Sequence, residues 1–347
     1  MPDRIYLDHA ATTPVLREAR EAIAEAFTCW ANPSSPHAEG RAARAALEEA
    51  RRRIKAALGW DHELVLTGGA SEAAALALSR AKISGRGISA IEHDSIRRAA
   101  PGAAVIGVDA EGSIDLAAIP RNALVAIQTA NSETGLIQPL DRIGPGIRER
   151  GGLWLADAAQ TAGKLPLPDA DMIIVSAHKL GGPPGIGALL VKDLAVLAPM
   201  GGQEKGYRGG TENLPGAMGF AAALEARGSR DHLAGLRLRL DEGVKAAGGQ
   251  IVAEMSSRLA EIASYRLPGT AAAAQLIELD MAGIAVSAGS ACSSGTLKSS
   301  AVLTAMGWDE DEAREVIRVS LAPQTTTGEI ERFLEVWSKL AERRRAA

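Results

Sequence analysis

The chain has 347 residues, of which 46 % are hydrophobic, 23 % charged and 3 % aromatic, and its formal net charge at neutral pH is −4. This charge gives no general attraction to nucleic acid or to anionic membranes, and no apolar run reaches the roughly 18–20 residues of a membrane span. Two cysteines, Cys29 and Cys292, are too few for a disulfide framework, and the N-terminal residues lack a signal-peptide pattern. We therefore expect a globular protein of the reduced cytoplasm, with no metal centre.

Short apolar runs alternate with helical patterns along the chain, which predicts an α/β fold with a largely parallel sheet. Helices are predicted over 39–58, which ends at Gly59, and over 73–82, which is opened by Ser71 and Glu72. Strands are predicted over 64–66, 88–91, 124–128, 153–156, 172–175 and 187–191. Near residue 225 the pattern changes to charged helix followed by further strand and helix units, which indicates a domain boundary there.

Polar residues follow the predicted strands at the points where these end. They are Ser71, His93, Asn131, Asp157, Ser176, His178 and Lys179. In a parallel α/β sheet the ligand crevice lies outside the carboxyl ends of the strands. We therefore expect these side chains to meet in one site.

Lys179 follows the apolar run 171–175 and precedes a loop rich in glycine and proline. Such a lysine faces a cleft, and desolvation lowers its pKa, so that the neutral amine can form a Schiff base. The alternative is an ordinary solvated lysine after a strand.

The other strand-end residues match the needs of pyridoxal 5'-phosphate. A phosphate would bind the backbone N–H groups and hydroxyl at Gly69, Ala70 and Ser71, although Ser71 would also serve as a simple helix N-cap. Asp157 would keep the pyridine nitrogen protonated, unless it only caps the residues after it. Gln160 would reach the ring hydroxyl, and His93 would stack on the ring unless its role is structural. Ser176 and His178 would also reach the phosphate.

The two cysteines lie in different surroundings. Cys29, beside Phe27 and Trp30 on a predicted alanine-rich helix, is interpreted as a small buried apolar residue. Cys292 lies in a loop of small residues, 287–295, where nothing is bulky enough to bury it. A thiolate at Cys292 would be free to act as a nucleophile.

Motifs spread along nearly the whole chain carry a family resemblance. They include YLDHAATTP at 6–14, NPSSPH at 32–37, TGGASE at 67–72, NSETG at 131–135, DAAQ at 157–160, SAHK at 176–179, RGGTEN at 208–213 and GSACSS at 289–294. In this order they resemble the cysteine desulfurases of the NifS/IscS type, a branch of the class V aminotransferases among the fold-type I pyridoxal-phosphate enzymes.

The resemblance implies a large domain over 12–225 with a mainly parallel seven-stranded sheet. It implies a smaller α+β domain, formed by 1–11 and 226–347, that carries the loop of the catalytic cysteine. The stretch from Cys292 to Gly307 looks like the long-loop group of the family, which suits delivery of sulfur to an acceptor protein of iron–sulfur assembly.

The resemblance also implies residue roles. Lys179 would hold the cofactor and take the Cα proton of L-cysteine, and His93 would assist in proton transfer. Cys292 would attack the substrate sulfur and keep it as a persulfide while L-alanine departs. Asn32, Asn131 and Arg318 would bind the substrate. Thr211 would reach the phosphate of the neighbouring subunit, which implies a homodimer.

Some positions depart from the family pattern. Ala73–Ala75 replace the usual asparagines, Ser132 replaces the second asparagine of its motif, and 266–279 matches poorly. Two alternatives remain open. One is another class V reaction, such as that of a selenocysteine lyase or an aminotransferase. The other is a non-catalytic partner of the assembly machinery.

Overall fold

The computed structural model describes residues 4–289 and 300–346. Its strands are β1 Ile5–Tyr6, β2 Glu63–Thr67, β3 Gly85–Ser89, β4 Ala104–Ile106, β5 Ala123–Gln128, β6 Leu153–Asp157, β7 Met172–Ser176, β8 Gly187–Val191, β9 Gln250–Ile251, β10 Ile262–Arg266, β11 Ile284–Ala285, β12 Ser287–Ala288 and β13 Val316–Ser320. Its helices are α1 Arg17–Ala26, α2 Ala38–Leu58, α3 Ala70–Arg80, α4 Asp94–Ala99, α5 Leu140–Arg148, α6 Leu214–Glu225, α7 Leu233–Ala246, α8 Ala272–Met281, α9 Ala301–Ala305, α10 Glu310–Ala313 and α11 Thr327–Ala346.

The larger sheet has seven strands in the order β2-β8-β7-β6-β5-β3-β4. Within it, β8 runs antiparallel to both of its neighbours, whereas the pairs from β7 to β4 are parallel. The predicted α/β class with a mainly parallel seven-stranded sheet is confirmed.

Helices cover both faces of this sheet, which explains the apolar runs in the sequence. Along β7, Ile173 and Val175 join the core beneath α2 and α6, whereas Met172 and Ile174 join the core beneath α3. Because successive side chains of a strand point to opposite faces, a strand buried on both sides is apolar throughout.

A second sheet, with the order β12-β13-β10-β9, is antiparallel. Its core includes Tyr265, Phe333 and Trp337, which are fully buried. The N-terminal strand β1 pairs with β11 in parallel, and Leu7 joins this second core. These positions support the division that we propose, with 12–225 as one domain and 1–11 together with 226–347 as the other.

Several local predictions are wrong in detail. Helix α3 begins at Ala70, and its N-cap is Gly69, so Ser71 lies within the first turn and is not the cap. Helix α1 ends at Ala26, so the half-buried Cys29 lies in the following turn and not on the helix. Phe27 and Trp30, beside it, are largely exposed.

Within the described residues, no helix combines the length and apolar character needed to cross a lipid bilayer.

Candidate active site

A cavity of about 360 Å³ lies at the carboxyl ends of β5, β6 and β7. It is lined by every predicted cofactor residue except Thr211, namely Gly69, Ala70, Ser71, His93, Asp157, Gln160, Ser176, His178 and Lys179. The parallel strands bring these side chains together because their carboxyl ends share one edge of the sheet.

Lys179 ends a single 3₁₀ turn, Ala177–Lys179, that follows β7 directly. The N-terminal segment holds this turn, since the backbone N–H of Thr13 donates to the carbonyl of His178 at 2.8 Å. Lys179 Nζ donates to the carbonyls of Ala10 at 2.5 Å and Ala11 at 2.9 Å. Burial, with the positive charge of Arg318, lowers the pKa of Lys179 to about 8. About a tenth of the amine is therefore neutral at pH 7, far more than for a solvated lysine.

Asp157 ends β6 and faces the same cavity. Its Oδ1 accepts a hydrogen bond from the backbone N–H of Ala159 at 2.9 Å. Burial raises the pKa of Asp157, whereas that hydrogen bond and the nearby His93 and Lys179 lower it. A carboxylate in this setting is suited to pair with a buried cationic nitrogen of a ligand.

His93 is the N-cap of α4, and its Nδ1 accepts the backbone N–H of Ser95 at 3.2 Å. In the neutral ring the remaining proton therefore lies on Nε2. Burial is the main cause that lowers the pKa of His93. The ring is thus an uncharged N–H donor at the wall of the cavity.

The start of α3 borders the cavity in an arrangement suited to an anion. Gly69 has φ +140°, a conformation that L side chains rarely adopt, and it turns the chain from β2 into the helix. The free N–H groups of the first turn and the Ser71 side chain border the cavity. Burial and the charge of Lys179 lower the pKa of His178 to about 4, so this ring is neutral.

Gln160 provides a test of whether a polar ligand fits. Its Nε2 donates to the carbonyl of Ala10 at 3.0 Å, but its buried Oε1 has no hydrogen-bond partner within 4–289 and 300–346. A buried amide oxygen needs a donor, and a ligand hydroxyl in the cavity would supply it. Asp157 is suited to a cationic nitrogen and the start of α3 to a phosphate, so the residues fit pyridoxal 5'-phosphate.

Among the three predicted substrate residues, Arg318 binds a residue of the cavity wall. Arg318, on β13, donates through Nη2 to Asp8 Oδ1 at 2.7 Å and through Nη1 to the carbonyl of Ser132 at 3.0 Å. Its buried Nε has no partner in the described chain. Ser132 lines the cavity, so Arg318 lies against its wall.

Asn131 and Asn32 are engaged in local turns. Asn131 Oδ1 accepts the backbone N–H groups of Glu133 and Thr134, each at 2.9 Å, and neither Asn131 nor Asn32 lines the cavity. The exposed Asn32 caps its own loop through Ser34 N–H at 2.8 Å. Their substrate roles stay predictions.

Two further predicted residues are absent from the described lining of the cavity, for different reasons. Thr211 is exposed in the loop before α6. Cys292 lies outside the described residues, between Gly289 and Ser300.

The structure adds residues that the sequence did not single out. Glu92 is buried, and its Oε1 accepts the backbone N–H of Gln128 at 2.8 Å. Burial and the neighbouring Asp157 raise the pKa of Glu92 well above its usual range. Asp8 holds Arg318, and the carbonyls of Ala10 and Ala11 hold Lys179. Asp8 lies inside a recognised motif, but carbonyl oxygens leave no signal in a sequence.

Comparisons with known proteins agree with this geometry. The family model for aminotransferase class-V matches residues 5–333. A cysteine desulfurase of Gluconacetobacter diazotrophicus is 36 % identical, and the match covers 96 % of this chain and 92 % of that protein. The X-ray structure of a NifS-like protein from Rickettsia africae superposes with a TM-score of 0.84 at 31 % identity, covering 98 % of this chain and 100 % of that one. A structure of SspA in complex with cysteine gives a TM-score of 0.79 at 30 % identity, covering 93 % and 100 %.

Proposed function

Because this chain belongs to the class-V aminotransferase family, and within it to the cysteine desulfurases, we propose that it converts L-cysteine to L-alanine with pyridoxal 5'-phosphate and transfers the sulfur to Cys292. The observation that carries the proposal is the cavity in which Lys179, Asp157 and the start of α3 meet. A neighbour of the same fold, SspA, has been solved in complex with cysteine.

The chain would hold the cofactor at both ends. Lys179 would bind it covalently, Asp157 would pair with its ring nitrogen, and the N–H groups of α3 with Ser71, Ser176 and His178 would bind its phosphate. Pyridoxal phosphate, when bound, supplies an electron sink for the bonds broken at the substrate.

Arg318 would bind the substrate carboxylate. Its guanidinium already binds Asp8 and the Ser132 carbonyl, and its buried Nε–H has no acceptor among the residues that the structure describes. A carboxylate binds a guanidinium through two N–H groups, so a substrate entering the cavity would accept from Nε–H and share Nη2 with Asp8.

Lys179 would take the Cα proton of bound cysteine, because its lowered pKa, about 8, brings the neutral amine within reach of physiological pH. The thiolate of Cys292 would then attack the substrate sulfur, and the carbon–sulfur bond would break. The products are L-alanine and a persulfide on Cys292, so the reaction needs no external oxidant or reductant. His93, a neutral N–H donor at the wall, would protonate the departing carbon skeleton.

A homodimer and an acceptor protein complete the proposal. Thr211 is exposed and lies outside the cavity of its own chain, which supports a role toward the neighbouring subunit. A relative in Archaeoglobus fulgidus is named cysteine desulfurase IscS 1, at 35 % identity over 98 % of this chain. We propose that the persulfide sulfur passes to an acceptor protein of iron–sulfur cluster assembly.

A Cys292→Ala variant tests the sulfur route. It should lose sulfur release from L-cysteine yet keep the cofactor's visible absorption, because Lys179 and its surroundings are unchanged. A Cys29→Ala variant is the matched control and should keep full activity. Full sulfide release by Cys292→Ala would refute the persulfide route. A purified protein that binds no pyridoxal phosphate would favour a non-catalytic partner.

A further inference from the structure

Two charged residues beside the start of α3 have no role in the proposed function. Glu72, the third residue of α3, lines the cavity next to Ser71. Arg208, in the loop before α6, does not line the cavity, but its Nε donates to Glu72 Oε1 at 2.9 Å. The contact joins the motifs TGGASE and RGGTEN, which lie far apart in the chain.

The Glu72 carboxylate is held at both oxygens. While Oε1 binds Arg208, Oε2 accepts the backbone N–H of Gly68. A Cβ at Gly68 would lie 2.9 Å from that oxygen, so the carboxylate lies directly against the turn between β2 and α3. Within the described chain neither oxygen accepts an N–H of the first turn of α3. Those N–H groups are therefore left to a ligand in the cavity.

Arg208 is fixed by its own loop as well as by Glu72. Its Nη1 donates to the carbonyl of Gly210 at 3.2 Å, and its backbone N–H donates to the carbonyl of Gln203 at 3.3 Å. The guanidinium thus lies at the end of a closed loop, with its charge directed at the carboxylate.

The charge of Glu72 matters for a phosphate at the start of α3. The carboxylates among the described lining residues are those of Glu72 and Asp157, and Asp157 is assigned to the ring nitrogen. A carboxylate at Glu72 without a counter-charge would repel a phosphate and compete with it for the positive end of the helix dipole. Arg208 supplies the counter-charge and helps to hold the carboxylate on Gly68.

We propose that Arg208 is a positioning residue for the cofactor phosphate, acting through Glu72. It neutralises the carboxylate and keeps it turned toward Gly68, so that a phosphate meets the N–H groups of α3 and the Ser71 hydroxyl without an uncompensated negative charge beside them. This inference rests on the proposed function, which takes the phosphate of pyridoxal phosphate to bind at the start of α3.

The test is a double-mutant cycle on cofactor affinity, with the full chain freed of cofactor. Arg208→Met leaves the Glu72 charge unpaired, so the dissociation constant for pyridoxal phosphate, measured by equilibrium dialysis, should rise about three- to tenfold. Glu72→Gln removes the charge and keeps an amide oxygen for the Gly68 N–H, so binding should be at least as tight as in the wild type. The double variant should return to within about twofold of the wild-type value.

A purely structural ion pair predicts a different pattern. Both single variants break the same contact, so a structural role would weaken binding in both, and the double variant would not recover. Arg208→Lys keeps the charge and should recover most of the affinity. Lys205→Met is the matched control, because Lys205 pairs with Glu63 in the same loop but outside the cavity, and it should bind the cofactor as the wild type does.

Two further ligands isolate the phosphate. Pyridoxal, which lacks the phosphate, should bind all of these variants with the wild-type affinity. Inorganic phosphate should raise the thermal midpoint of each cofactor-free protein in the same order as the cofactor affinities, because a ligand that binds the folded state stabilises it.

Equal losses in Arg208→Met and Glu72→Gln, a double variant as weak as Arg208→Met, or wild-type affinity in Arg208→Met would overturn the inference. If Arg208→Met does not fold, Arg208→Gln takes its place. A wild-type protein that binds inorganic phosphate but not pyridoxal phosphate would refute the proposed function, and the order of the variants with inorganic phosphate would still decide this inference. A wild-type protein that binds neither would refute both.

Discussion

At the scale of single residues, burial keeps the bases around Lys179 uncharged. The pKa values of His9 and His178 lie at about 4, and that of His93 is lowered. Each ring is neutral at physiological pH and offers a hydrogen bond without adding positive charge. A cationic cofactor ring beside Asp157 would therefore meet no positive charge from these histidines.

His9 makes the stability of the protein depend on pH. Its pKa is about 4 in the folded chain and 6.5 in an unfolded one. Between these values the unfolded state binds a proton that the folded state does not, so stability falls as the pH falls from 6.5 toward 4. In His9→Gln the free energy of unfolding should depend less steeply on pH, by up to the slope that one bound proton contributes. Urea midpoints at several pH values measure this slope.

The matched control is His232→Gln, which replaces an exposed side chain at the start of α7. This variant should keep the wild-type dependence of the free energy of unfolding on pH, because it removes no buried group. A His9→Gln variant with the full wild-type slope would show that His9 is not the buried neutral ring described.

The sequence identified the site residues that can be recognised from the residues next to them in the chain. Asp157, Ser176 and Lys179 follow apolar strands, and a parallel sheet brings strand ends together. The sequence could not identify the carbonyls of Ala10 and Ala11 as partners of Lys179. These groups reach Lys179 across the fold, and neither the residue types nor the spacing records that contact.

At the scale of elements, the entry into α3 depends on Gly69. A Cβ at this position would find no atom within 4 Å, so the requirement for glycine comes from φ +140° alone. Gly69→Ala would strain the backbone by about 1–3 kcal/mol and shift the first turn of α3. We expect an increase of about tenfold in the dissociation constant for pyridoxal phosphate, measured by equilibrium dialysis.

Gly146→Ala, within α5, is the matched control. Its Cβ would meet only Ile119, at 3.9 Å, and its φ is ordinary. It should leave cofactor affinity unchanged and stabilise the fold by about 0.5–1 kcal/mol. Equal affinity in Gly69→Ala and the wild type would contradict the role assigned to the start of α3.

A buried ion pair joins α2 to the loop that leads toward Thr211. Arg51 binds both carboxylate oxygens of Glu204, at 2.7 and 2.8 Å, and Glu204 Oε2 also accepts the N–H of Leu66 at 2.8 Å. Glu204→Ala would leave the N–H of Leu66 without an acceptor and Arg51 with Glu48 as its remaining carboxylate, so the free energy of unfolding should fall by about 1–3 kcal/mol.

Urea denaturation measures this loss, and Glu49→Ala provides the control. Glu49 pairs with Arg52 on the exposed face of the same helix, so its removal should leave the urea midpoint essentially unchanged. An equally small effect for Glu204→Ala would mean that this ion pair does not hold the loop.

Elements defined by local patterns were predicted more closely than those defined by distant pairing. Helix α2 spans Ala38–Leu58 and ends at Gly59 with φ 65°, within one residue of the prediction. By contrast, β1 exists because Ile5 pairs with Ile284, at the far end of the chain. Likewise, the N-cap of α3 is Gly69 and not Ser71, because a glycine-only conformation brings the chain into the helix.

At the scale of the whole molecule, the N-terminal segment connects the two sheets at the active site. Leu7 packs in the core of the second sheet, and the carbonyls of Ala10 and Ala11 hold Lys179 beside the first. Arg318, on the second sheet, binds Asp8 in the same segment. The lysine proposed to hold the cofactor and the arginine proposed to bind the substrate carboxylate are thus held by neighbouring residues of one N-terminal segment.

The central claim is that sulfur leaves L-cysteine and stays on Cys292. The direct measurement incubates the cofactor-loaded protein with L-cysteine, quantifies alanine and determines the masses of the peptides that contain Cys292 and Cys29. We expect alanine together with the added mass of one sulfur atom on the Cys292 peptide, and no addition on the Cys29 peptide. Alanine formed in a single turnover with an unmodified Cys292 peptide, or no alanine at all, would contradict the account.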